Sequence, residues 1–288
     1  MTTITHMGWL AVIGRPNVGK STLFNALLGR SLSIVTRKAQ TTQSRIMGVV
    51  TTAPHQYVLL DTPGVQNRLK QRRFAKLNRV AEQATYEADV ALFVVDCLQW
   101  RADDMVALET LSEFKGPCIA VMNKYDRCAH KVEALARYRE QLQQRYEFAS
   151  LIMLSAQAGY NMELLHTLIT EYLPKGEAMY AGDEITSHSI EFVLAEILRS
   201  KLLLLLHEEV PYNCQTQVEQ MQDEGKHWLI HAVIWVPTSA KKAVVIGKGG
   251  QKLQQIAQQA RLAMAAYLAK PVVLKSWVKV GRLPEADI

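Results

Sequence analysis

Three short runs of residues have the types and spacing to do chemistry on a phosphorylated nucleotide. The first is Gly14-Arg15-Pro16-Asn17-Val18-Gly19-Lys20-Ser21, which fits GxxxxGK[ST]. It follows an apolar, strand-like run at 9–13 and opens an apolar helical segment at 20–28. The glycines let backbone N–H groups turn inward around phosphates, and the positive end of the following helix adds to that field. Lys20 is placed to reach the outer phosphates, and the Ser21 hydroxyl to ligand Mg2+. The second run, Asp61-Thr62-Pro63-Gly64-Val65, ends a strand-like stretch at 57–60. Alone it reads as a turn. After a phosphate loop, its carboxylate can hold Mg2+ through water and the Gly64 N–H can bond a γ-phosphate.

The third run is Asn123-Lys124-Tyr125-Asp126. Asp126 can accept hydrogen bonds from N1–H and the exocyclic amine of guanine, donors that adenine lacks there. An unpaired buried carboxylate is costly, so adenine should be rejected by a factor on the order of 10^4. Lys124 can lie across the ring and Asn123 can tie the loops together. Ser155-Ala156-Gln157 can offer a backbone N–H to the guanine oxygen. Between the first two runs, 36–45 is polar and basic, suited to ordering over bound nucleotide and releasing after hydrolysis. Thr41 and Thr42 are the candidate Mg2+ ligands there, Thr42 preferred. Lys20, Thr42 and Gly64 are the transition-state and water-side candidates. Val65 cannot orient water by hydrogen bonding, so slow intrinsic hydrolysis is expected, with GTP as a mere structural ligand the alternative. Asn17 is the candidate to hold a monovalent cation, which predicts potassium stimulation.

These loops need strands to carry them. Continuous Val, Ile and Leu runs at 9–13, 47–51, 57–60, 90–95, 118–122 and 151–154 alternate with helical segments at 20–28, 72–87, 103–114, 131–146 and 162–172. That predicts an α/β fold, a mostly parallel sheet with helices on both faces. The runs 47–51 and 57–60, joined by a short turn containing Pro54, form the antiparallel edge. Leu173-Pro174-Lys175-Gly176 ends this part. The division expected is a nucleotide domain at 1–175, a linker at 176–186 and a second domain at 187–288.

The second domain reads as helix, strand (215–219), strand (227–236), turn, helix and strand (272–280). Gly247-Lys248-Gly249-Gly250 opens its late helix. A GxxG turn allows close approach to a nucleic-acid backbone, and Lys241, Lys242, Lys248, Lys252 and Arg261 can neutralise phosphates. From Lys226 to Arg282 there are ten Lys or Arg and no Asp or Glu; from Asp183 to Glu224, nine acids face two bases. Such a field suits a polyanion, single-stranded RNA before an anionic lipid surface.

The remaining composition is that of a folded soluble chain: 288 residues, 49% hydrophobic and 21% charged, with net charge +6. No apolar run approaches the ~20 residues of a spanning helix, and the N-terminus does not read as a signal peptide. The four cysteines show no close pairing or metal-ligand spacing, so reduced thiols in a cytoplasmic protein are expected.

In GRPNVGKS, AQTT, DTPG, NKxD and SA, in that order, with VIGKGG and a final SWVKV, the chain resembles the Era GTPases from Gly8 to Val280. The resemblance implies a P-loop GTPase domain followed by an α+β type II KH domain. It makes Gly14 to Ser21, Asp61 to Val65 and Asn123 to Asp126 the GTP contacts, Thr42 the switch threonine and Gly247 to Gly250 the RNA loop. It implies binding near the three-prime end of small-subunit ribosomal RNA and help in maturing the small ribosomal subunit. It also implies a cytoplasmic protein, expected to be a monomer, with peripheral association with the inner membrane. Gln43 stands where many Era sequences have Arg, and where Era proteins usually extend past the final strand with a charged segment this sequence has Gly281 to Ile288. Val244 to Ile246 is β-branched, yet the resemblance places a short helix there.

Overall fold

Runs that are apolar throughout and runs that alternate build two different sheets. The computed structural model describes residues 3–30, 32–35, 46–66, 72–97, 99–206 and 213–281, so Thr41, Thr42 and Gln43 lie outside the described residues. The chain divides into two compact units, 1–187 and 188–288.

In the first unit a six-stranded sheet runs in the order β2-β3-β1-β4-β5-β6. β1 (His6–Ile13) lies parallel to β3 (His55–Asp61) and β4 (Val90–Asp96). β5 (Cys118–Asn123) and β6 (Ser150–Met153) continue the parallel set, and β2 (Ile46–Thr52) pairs antiparallel with β3 at the edge. Ala11, Ile13, Phe93, Val95, Ala120 and Met122 face one core. That core is shared with Ala81 and Ala84 of α2 (Arg72–Glu87), Leu108 of α3 (Ala102–Glu109), and Leu135 and Leu142 of α4 (Val132–Gln143). The alternate residues Leu10, Val12, Leu92, Val94, Ile119 and Val121 are equally buried. On that side α1 (Lys20–Leu28) lies against β1, β2, β3 and α5 (Met162–Tyr172). Burial on both faces is why these strands are unbroken apolar runs, and each fully buried aliphatic side chain contributes about 1.5–3 kcal/mol. The helix expected over 103–114 stops at Glu109. Thr110 closes it, its hydroxyl donating to Ala107 O at 2.7 Å.

The stretch expected to be a linker is laid against the first unit. Met7 N donates to Pro174 O and Gly176 N to Thr5 O. The Gln56 carboxamide accepts from Met179 N and Tyr180 N and donates to Tyr180 O. Val49 N donates to Ile185 O at 2.9 Å, and the Thr186 hydroxyl to Met47 O. An exposed edge strand is thereby covered.

The second unit has α6 (Ile190–Leu205), β7 (Gln215–Asp223), β8 (Trp228–Val236), α7 (Ser239–Ile246), α8 (Gln251–Leu268) and β9 (Val272–Val280). β8 is central, antiparallel to β7 and parallel to β9. One sheet face packs on the helices through Ile230, Ala232, Ile234, Val272 and Val278 against Leu194, Leu198, Ile256, Ala260 and Met264. The β-branched run 244–246 is helical: Thr238 caps α7 by accepting from Lys241 N, and Val245 is fully buried. Capping and burial override a weak local propensity.

Candidate functional site

Each expected nucleotide loop leaves the C-terminal end of a strand, the edge at which such sheets bind ligands. After β1 the chain turns through Gly14, Asn17 (φ 64°) and Gly19 (φ 102°) into α1. The Lys20 ammonium folds inside this turn and donates to Gly14 O and Arg15 O, both at 2.9 Å. It is 6% exposed, and burial lowers its pKa to about 8, with the Asp61 carboxylate opposing. The loop is thus a ring of backbone with a cation at its centre, a cradle for phosphate oxygens.

At the end of β3 the Ser21 hydroxyl donates to Asp61 Oδ2 at 2.9 Å. The Thr62 hydroxyl donates to Val12 O at 2.7 Å and anchors the turn to β1. The turn presses on the phosphate loop: Val65 N donates to Gly14 O, and a Cβ on Gly64 would lie 2.6 Å from Pro16 N. Val65 is fully buried in the core with Ile13 and Val95. Its side chain therefore faces inward.

The base-reading side is tied to the phosphate side by Asn123. Its Nδ2 donates to Val18 O at 3.0 Å, and its Oδ1 accepts from Lys124 N (2.8 Å) and Ala156 N (3.1 Å). Lys124 Nζ donates to Asn17 O and to Asp96 Oδ2. The exposed carboxylate of Asp126 accepts from the Ser155 hydroxyl. Tyr125 stacks on Tyr160 with centroids 5.0 Å apart. Of the N–H groups expected for a purine oxygen, that of Ser155 goes to Tyr160 O and that of Ala156 to Asn123, which leaves Gln157 as the donor in that stretch.

Three features differ from the sequence expectation. Arg15, expected among the nucleotide contacts, turns its side chain away: Nε donates to Asp104 Oδ2 at 2.8 Å, with both side chains buried. Asp104 also accepts from Arg101 N and so caps α3, and burial raises its pKa against the pull of Arg15. Only the Arg15 backbone is left for phosphates. Asp96 was not singled out; a charged residue ending the apolar run 90–95 was its only signal. Cys97 and Cys128, expected as reduced thiols without close pairing, meet where β4 and the turn after β5 bring together residues 31 apart. Cys118 and Cys214 are free and buried, their thiols pushed up to about 12 and about 11 by burial.

In the second unit, Gly247, Gly249 and Gly250 have φ of 72°, 59° and 79°, a left-handed run that side chains resist. Lys248 and Gly249 are exposed at the tip, Lys241 and Lys242 lie half-buried on α7, and Lys252 lies in the first turn of α8. Val244 is exposed beside them, 49% accessible, an apolar surface next to the cations. Among the described residues no group of His, Cys, Asp or Glu could hold a metal by itself, and no helix is long and apolar enough to cross a membrane.

Phosphate cradle, metal-side carboxylate and guanine-reading carboxylate on one sheet edge define a P-loop guanine-nucleotide-binding protein. The comparisons with known proteins agree. The 50S ribosome-binding GTPase family matches residues 10–124, and the KH domain family matches 209–283. GTPase Era of Pseudomonas syringae pv. tomato is 37% identical over 97% of this chain and 93% of its own length. GTPase Era of Marinobacter nauticus is 38% identical over 96% and 91%. Two crystal structures share 34% identity and cover 96% of this chain and 94% of theirs: an Aquifex aeolicus Era variant bound to GDP and AlF4-, TM-score 0.88, and Era with MgGDPNP and nucleotides 1506–1542 of 16S ribosomal RNA, TM-score 0.87. The chain belongs to the Era family of GTPases, a P-loop GTPase domain followed by a KH domain.

Proposed function

We propose that the protein is a GTP-operated switch that binds small-subunit ribosomal RNA near its three-prime end and assists maturation of the small ribosomal subunit. GTP contacts fall to residues 14–21, 61–65 and 123–126, with Ser155 and Ala156 behind the base. The observation that carries the nucleotide half is Asn123, whose carboxamide bridges Val18 O, Lys124 N and Ala156 N, so that phosphate and base loops act on one ligand.

The oxygen donors of Ser21 and Asp61, already adjacent, fit a hard divalent cation. With Thr42 they would hold Mg2+, Asp61 through water, where it neutralises charge on the phosphates. The chain's own part is to position: Lys20 and the Gly64 N–H hold the terminal phosphate, and the backbone of 14–21 holds the others. Val65 faces the core, so no side chain there orients water. That supports slow intrinsic turnover without a side-chain general base. Asn17, exposed in the phosphate loop, is the residue proposed to hold potassium. Equal turnover in potassium and sodium buffers would remove that part.

The RNA half rests on Gly247 to Gly250 with Lys241, Lys242, Lys248 and Lys252, and on the relative solved with 16S nucleotides. The protein is proposed to work as a monomer in the cytoplasm, with peripheral association with the inner membrane. Crosslinking in cells and sequencing the attached RNA tests the reading. Reads gathered at the three-prime end of the small-subunit RNA are expected; reads scattered over all RNA would overturn it.

A further inference from the structure

We infer that the outer face of the β7-β8-β9 sheet is a second site for single-stranded RNA, where a base stacks on Trp277 beside the cation Lys275. The inference rests on the RNA-binding reading above and adds a place to it.

Side chains alternate across a strand, so with Val272 and Val278 facing the helices, Val273, Lys275, Trp277 and Lys279 of β9 face the other way. All four are exposed, Trp277 to 44%. By strand register their neighbours on this face are Leu229, His231, Val233 and Trp235 of β8, and beyond them Gln222, Gln220, Gln217 and Gln215 of β7. His231 meets Trp277 edge-on, centroids 5.3 Å apart at 77°, and so steadies the indole. Lys279 Nζ stands 5.5 Å from the Trp235 centroid.

The chemistry selects the occupant. Lys275 and Trp277 stand two residues apart, about 6.6 Å along the strand, on the scale of one extended nucleotide, while Lys279 crosses Trp235 to pair with Glu219 of β7. Stacking on an aromatic ring with ammonium groups on the flanking phosphates is how single strands are held without sequence preference. The only acids in the three strands, Glu219 and Asp223, are held by Lys279 and Lys270. Little on the face therefore repels a polyanion, and the glutamine row offers amides to base edges. The site is separate from the glycine loop, which lies in the helix layer on the far side of the sheet. α7 lies against β9, and β9 is an edge strand. A strand leaving the loop at 247–250 can thus round that edge to reach Trp277.

The test uses the full-length protein and two synthetic single-stranded RNAs, one of about four nucleotides, enough for a GxxG loop, and one of about twelve. Trp277→Ala is expected to lower affinity for the longer RNA about tenfold, leave the shorter unchanged, and be largely rescued by Trp277→Phe. Lys275→Glu, a surface change safe for folding, should weaken the longer RNA and lower its salt slope by about one. Unchanged binding of the longer RNA by both variants would overturn the site. So would equal losses on both RNAs, or a wild-type dimer in sedimentation that Trp277→Ala dissociates. Wild-type protein that holds neither RNA would instead sink the RNA-binding reading itself.

Discussion

The phosphate loop at 14–21 and the glycine loop at 247–250 both turn through positive-φ glycines and both open a helix, yet they are held in different ways. The first is pinned by side chains from distant elements. Asn123 reaches it from β5, Asp104 from α3 through Arg15, and Lys124 from the turn after β5. The second is packed at its base, where a Cβ on Gly247 would lie 2.6 Å from Lys252 Cβ, and open at its tip, where a Cβ on Gly249 or Gly250 would meet nothing within 4 Å. A pinned loop reads its ligand with little reorganisation, but it can be damaged from afar. An open loop is damaged only where it is touched, and it depends more on charge, and hence on salt.

The sharpest way to break this contrast is at the base. Asp126→Asn should cost GTP affinity on the order of 10^4-fold and favour a xanthine nucleotide, because the carboxamide meets the guanine N–H groups with a donor of its own. Competitive nucleotide titration measures it; GTP held within tenfold of wild type would place base reading elsewhere. Next comes damage from afar. Asp104→Ala leaves the Arg15 guanidinium buried without its carboxylate, an arrangement worth about 3–5 kcal/mol of stability. Urea unfolding should show that loss together with weaker GTP binding. Full stability in the variant would mean that Arg15 is not a pin at all.

Much of this was legible in the residues. Strand runs apolar on both faces announced the sheet, and the three nucleotide motifs fell at strand ends because strand-then-turn order is local information. What stayed hidden was long-range. Nothing near Arg15 in sequence points to Asp104, 89 residues on, and the run 176–186 reads as a polar linker because its partners, Gln56 and the β2 edge, are backbone and amide groups without a pattern. The β-branched run Val244 to Ile246 carries no helix signal of its own for the same reason: the burial of Val245 belongs to the packed unit.

On the open loop the expected effect is smaller and confined. Gly250 has φ 79°, and a side chain there costs about 1–2 kcal/mol in backbone terms. Gly250→Asp adds repulsion to the phosphates. RNA affinity should fall about tenfold or more while GTP affinity stays within about twofold. Filter binding and nucleotide titration on one preparation decide it. Parallel losses would mean that the two loops do not differ as described.

The smallest effect follows the proton on Lys20. Burial holds its pKa near 8 without nucleotide, below the 10.5 of an unburied lysine. The folded protein therefore binds fewer protons than the unfolded chain between those values, so stability rises with pH across that window, and the full cost of the buried charge is present below pH 8. Phosphates brought against the ammonium favour its charged form and lift the pKa. Binding GDP at pH 8 should then take up about half a proton, and almost none at pH 6.5, where Lys20 is already charged. Calorimetry in buffers of different ionisation enthalpy reads this uptake, and Lys20→Met should abolish it. An uptake that survives in that variant would belong to another group, and the picture of a phosphate cradle closed around a reluctant cation would have to be redrawn.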